Sequence, residues 1–130
     1  MIQTYLLSVL VFLGIDAFWL GFVARNFYAK QIGHLMAETP NLLAAGVFYL
    51  LFLVGLQVFA INPALAKNSI AHAVQLGALF GFMTYATYDL TNYATLRGWP
   101  LQMVIVDLIW GTVLSAAVAG ITVFVMMRFR

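Results

Sequence analysis

The chain has 130 residues, of which 65% are hydrophobic, 15% aromatic and only 8% charged, with a formal net charge of +2. Soluble domains carry roughly a quarter charged residues and need that polar coat to stay dispersed, so a water-exposed globule is excluded. Six basic and four acidic residues, scattered along the chain, form no stripe for phosphates and exclude nucleic acid as a partner. With no cysteine there is no disulfide, thiolate metal site or Cys nucleophile.

A helix needs about 20 mostly apolar residues to cross roughly 30 Å of hydrocarbon. Four segments meet this, at about 2–24, 41–61, 70–96 and 100–127. The first lacks a basic leading region and a small-residue cleavage site and carries Asp16, which argues against a signal peptide. Residues 25–40 mix Arg25, Lys30 and Glu38 with Ile32, Leu35 and Met36, a pattern that suits an interfacial helix or loop.

Asn41 is placed to cap the second span, which Asn62-Pro63 should end. Asn68-Ser69 offers a cap for the third, Gly98 breaks it, and Pro100 suits the first helical position of the fourth. Arg128 and Arg130 should anchor the last end among headgroups. The fold expected is an all-α integral membrane four-helix bundle, one transmembrane domain over 1–130. Lys67, Arg128 and Arg130 on the terminal side balance Arg25, Lys30 and Arg97 on the other. The positive-inside count therefore decides nothing, and only the clustering of Arg128 with Arg130 favours cytoplasmic termini.

Three of the four acids, Asp16, Asp89 and Asp107, fall inside these spans, where an ionised carboxylate costs on the order of 3 kcal/mol. At 1.5 Å per residue all three lie roughly 10 to 12 Å below the same interface. Helical spacing groups Asp16 with Trp19, Asp89 with Tyr85, Tyr88 and Asn92, and Asp107 with Trp110, while the second span brings Tyr49 to that depth. Tyr49, Tyr85 and Tyr88 can donate to carboxylates, and Thr84, Thr87 and Thr91 add polar capacity. Arg25, Asn26 and Arg97 stand above the layer as a cationic mouth. Any one aspartate could simply tie helices together. Three at one depth in a short chain favour a shared ligand or proton site.

Other features carry less. His34 and His72 read as surface and interface residues, and no His pair has metal-ligand spacing. Three carboxylates could hold Mg²⁺ or Ca²⁺, but nothing in their spacing demands a metal, and no cofactor is implied. Gly77-xxx-Gly81 and Ala116-xxx-Gly120 allow close helix approach, either within the monomer or across a homo-oligomer seam.

The stretch Gly14-Ile15-Asp16-Ala17-Phe18-Trp19-Leu20-Gly21, the following Arg25-Asn26-Phe27-Tyr28, the run Tyr85-Ala86-Thr87-Tyr88-Asp89-Leu90-Thr91-Asn92, and Asp107-Leu108-Ile109-Trp110-Gly111 resemble the domain of unknown function 2177 family. The resemblance covers nearly the whole chain. It implies a multi-pass, four-span protein of the bacterial inner membrane and brings no substrate with it. Three readings stay open. One is a proton- or cation-linked carrier or small-molecule binding protein, which expects a homo-oligomer around the site. The second is a non-catalytic subunit or assembly factor, and the third a lipid-modifying enzyme with the aspartates as acid and base.

Overall fold

The computed structural model describes residues 1–129, among which every regular element is helical. Arg130, one of the two expected anchoring charges, lies outside them. Helix α1 (Ile2–Phe18) runs on through a π-turn at Trp19–Val23, and α2 (Arg25–Ile32) follows with a short 3-10 turn, Gly33–Leu35. Helix α3 (Leu42–Leu56) passes through a second π-turn, Gln57–Ile61, into α4 (Asn62–Ala66), and then come α5 (Ile70–Thr95) and α6 (Leu101–Phe129).

The punctuation has local causes. The Asn41 side chain accepts from the Ala44 N–H at 3.0 Å, and Ser69 Oγ accepts from the His72 N–H at 3.0 Å, so each relieves a helix start of an orphan donor. Gly98 takes φ +69°, the left-handed conformation that lets the chain reverse between α5 and α6. The Pro100 carbonyl accepts from the Val104 N–H at 3.2 Å, which makes Pro100 the residue before the first helical position. Asn62-Pro63 does not end the second long helix. The wide turn just before Pro63 absorbs the hydrogen bond that proline cannot give, and Gln57 Nε2 donates to Asn62 Oδ1 across it at 2.7 Å.

Three stretches are long and apolar enough to cross a membrane: Ile2–Val23, Leu42–Ala66 and Leu101–Phe129, with mean hydropathies of 2.2, 2.3 and 2.1. The expected third span forms one unbroken helix of 26 residues but is not among them. Its second half is diluted by Thr84, Thr87, Asp89, Thr91, Asn92 and Thr95. The threonines satisfy their hydroxyls on their own helix. Thr84 donates to the Phe80 carbonyl at 2.9 Å, Thr87 to Met83 at 2.7 Å, Thr95 to Thr91 at 2.9 Å, and Thr91 to Thr87.

Helices α5 and α6 meet along a seam of small residues. A side chain on Gly77 would press on the Ser115 carbonyl at 2.7 Å and on Ala119 at 2.9 Å, and one on Gly81 would run into the Gly111 carbonyl and Ser115. The Gly77-xxx-Gly81 motif is thus used inside the monomer, where it brings the two backbones together. Around this seam Phe52, Leu53, Leu56, Ala60 and Ile61 pack with Phe12, Leu114, Val118 and Val123 into the main core. The other end of the molecule is built differently. There Leu42, Leu43, Val47 and Phe48 of α3 are exposed, and α2 lays Phe27, Tyr28 and Ile32 against Trp99, Met103 and Val104 in a separate cluster.

Candidate functional site

Between α1, α3, α5 and α6 at the α2 end lies a cavity of about 490 Å³, within the usual size range of small-molecule sites. Asp16 and Trp19 reach it from α1 and its π-turn, Tyr49 from α3, Tyr85 and Tyr88 from α5, and Asp107 and Trp110 from α6. These seven come from the nine residues that spacing groups into a layer. Leu20, Tyr28, Ile32, Ala45, Phe48, Thr84 and Met103 complete the wall.

Both wall carboxylates are buried, Asp16 at 8% and Asp107 at 6% exposure, and each faces its own donors. The Tyr49 hydroxyl and the Trp110 indole face Asp16. The Tyr28 hydroxyl donates to Asp107 Oδ1 and accepts from Trp19 Nε1 at 3.2 Å. The Trp19 and Trp110 rings stack at 4.2 Å with planes 8° apart, which ties the two aspartate groups into one assembly. Tyr85 stands in the electrostatic range of Asp16, Asp89 and Asp107 together.

Asp89 is 0% exposed, off the cavity wall and next to Asp107. It interacts with Asp107 and with the Trp99 indole, yet neither of its oxygens nor Trp99 Nε1 closes a hydrogen bond of ordinary geometry. Trp99 is held in place edge-on to Tyr88, the ring centroids 5.8 Å apart. A buried carboxyl left so incompletely partnered is costly and uncommon.

The remaining expected residues fall elsewhere. Asn92 is half-buried on α5 and off the cavity wall. Arg25, Asn26 and Arg97 are exposed and contribute nothing to the wall, so among the described residues the lining has no basic side chain. Arg25 and Asn26 follow the π-turn at Trp19–Val23, and from α2 it is Tyr28 and Ile32 that reach the wall. Tyr28 is the functional candidate that spacing missed. Phe27, Tyr28 and Ile32 form the apolar face of an otherwise polar helix, and that face points inward. Burial first, and then the hydrogen bond to Asp107, push the Tyr28 phenol above the ordinary tyrosine range, so it remains a neutral donor.

The wall therefore joins two acids to seven aromatic rings, with no basic side chain among the described residues. The same residues carry the short motifs Asp16-x-x-Trp19, Tyr88-Asp89 and Asp107-x-x-Trp110, and the family model described as Predicted membrane protein (DUF2177) matches residues 1–124. The chain belongs to this family. No curated protein and no solved structure matches it. Every residue of the cavity wall lies within the span the family model covers.

Proposed function

We propose that this member of the family is a four-span protein of the bacterial inner membrane that binds, and as a carrier moves, a proton or small cationic molecule. The observation that carries the reading is the meeting of Asp16 and Asp107, from different helices, on the wall of one cavity with no basic side chain beside them. Buried charge is expensive in apolar surroundings unless it is paired. A wall with two carboxylates and no internal counter-cation reaches neutrality by taking up protons or a cation from outside. A role limited to tying helices together needs neither a hollow nor two acids on its lining.

In this reading α5 is the remaining span. Tyr85 lies toward Asp16 and Asp107, and Thr84, Thr87, Thr91 and Thr95 turn back onto their own helix's carbonyls, which helps a helix of lower hydropathy sit beside three apolar ones. A lipid-modifying role fits less well, because Arg25 and Arg97, the residues expected to grip a phosphate headgroup, are not on the wall.

The test uses the tryptophans already present. Trp19 and Trp110 stack within the cavity, so their emission reports its occupancy and protonation. Purified protein in lipid nanodiscs is titrated with acid and with monovalent cations, beside Asp16→Asn and Asp107→Asn. The expected result is a titration in the unmodified protein that each variant shifts and the double variant abolishes. An identical titration in all of them would remove the carboxylates from the role.

A further inference from the structure

The cavity wall does more than attract positive charge: half of its lining residues are aromatic. Trp19, Trp110, Tyr28, Tyr49, Tyr85 and Phe48 surround the two carboxylates. Inorganic cations such as Mg²⁺ or Na⁺ prefer oxygen cages and keep their waters, and rings cannot replace those waters. Organic ammonium groups behave in the opposite way. They are weakly hydrated, spread their charge over C–H surface, and are held by aromatic faces together with a carboxylate.

The rim of the cavity is apolar as well. Leu20 is 44%, Phe48 52% and Tyr88 54% exposed, and all three line the hollow. A ligand seated with its charge near Asp16 and Asp107 would extend its remaining part past these residues toward the apolar outer surface. We infer that the site takes an amphipathic organic ammonium ion, its cationic head between Asp16 and Asp107 against the stacked Trp19–Trp110 pair and its apolar part at the Leu20, Phe48 and Tyr88 rim. The inference rests on the proposed binding role and narrows it to a ligand class. Ligands with net negative charge, free phosphate among them, are disfavoured by the same wall, since two carboxylates face them with no basic side chain to offset the repulsion.

An ammonium head could arrive on a free amine or on a lipid such as phosphatidylcholine. Both are covered by one experiment on the full chain in phosphatidylglycerol nanodiscs, read by tryptophan emission and checked by thermal unfolding. The probe is benzyltrimethylammonium, and the control is its neutral carbon isostere, neopentylbenzene. Saturable binding of the cation, at least about tenfold tighter than of the isostere, supports the inference. So does its loss in Asp16→Asn and Asp107→Asn and its weakening by about tenfold in Trp19→Leu, with Lys67→Ala at the opposite end unchanged. Doping the discs with phosphatidylcholine separates the sources: competition with the probe assigns the lipid headgroup, and no competition assigns the free amine.

Equal binding of the neutral isostere would overturn the ammonium assignment and leave a small-molecule cavity standing. No binding of either probe, with the proton titration of the unmodified protein intact, would overturn it while sparing the proton-linked reading. The loss of both signals in folded protein would sink the two together. Should the asparagine variants fail to fold, the Trp19→Leu comparison and the isostere ratio still decide.

Discussion

The two ends of the molecule solve the problem of buried surface in opposite ways. Toward α4 the helices close on one another through glycine and alanine, and large apolar side chains such as Leu56, Leu114 and Val118 are wholly buried among them. Toward α2 the same four long helices leave a hollow, and what spans it is a set of hydrogen bonds and ring contacts centred on carboxylates. Apolar packing is additive and indifferent to direction, so it fills space wherever the backbone allows. A layer of acids cannot be closed over in this way without neutralising them, and the space beside them stays available to a ligand.

The difference is sharpest at one pair of neighbours on α6. Gly111 lies against the Tyr85 ring, and Ser115, one turn further on, against Gly81. The first contact sets a wall of the cavity and the second belongs to the closed seam. The largest predicted effect breaks the second. Gly81→Ala places a methyl against the Gly111 carbonyl and Ser115, where a backbone atom cannot step aside, and should cost about 3 kcal/mol as overpacking. Thermal or denaturant unfolding in detergent measures it. A loss as small as that of an exposed α5 position would mean that the seam yields freely and that the two ends are not mechanically distinct.

Tyr28→Phe tests the polar end at its cap. The phenol links Trp19 on the α1 side to Asp107 on α6, and a hydrogen bond to a carboxylate is worth about 2 kcal/mol when removal leaves the acceptor unpaired. The variant should unfold earlier and also widen access to the cavity, seen as faster quenching of tryptophan emission by acrylamide. There is a pH signature. The phenol is held above its ordinary value of 10.0 in the folded protein, so its contribution is complete below that pH and fades as the pH rises beyond it. The stability gap between unmodified protein and Tyr28→Phe should therefore narrow in strong alkali. A gap constant with pH would place the effect in packing alone.

The same contrast explains what could be read from the sequence. The long helices follow from uninterrupted apolar runs, and the caps at Asn41 and Ser69 and the break at Gly98 from residues whose backbone chemistry is distinctive. Asp16, Asp107, Trp19 and Trp110 meet on one wall because i and i+3 positions share a helix face wherever the helix stays regular. The π-turns carry no compositional mark. One widens the chain's turn at Trp19–Val23, just before Arg25, and the other carries the helix through Pro63, so positions counted across them at regular helical spacing shift. Tyr28 was obscured for a related reason: a segment with Arg25 and Lys30 reads as surface, although Phe27, Tyr28 and Ile32 turn one face of it inward. The threonines of α5 offer the pocket less polar capacity than their number suggests, because composition does not reveal that a hydroxyl bonds its own helix; of them Thr84 is on the wall.

Asp89→Asn is the smallest of the three effects and bears most directly on the contrast. Asp89 is retained although neither carboxylate oxygen closes an ordinary hydrogen bond and a second acid lies beside it. An amide of the same shape cannot ionise in that site and can offer its N–H to Asp107, so the variant should be more stable than the unmodified protein by about 1 kcal/mol. The gain should appear with a weakened tryptophan-detected titration, since Asp89 lies beside Asp107. Stability rising as binding falls is what a strained functional group gives. A variant that instead loses stability would show that Asp89 is the tie between α5 and α6 at this end. The polar end would then be held together by its acids in the same sense that the other end is held by its glycines.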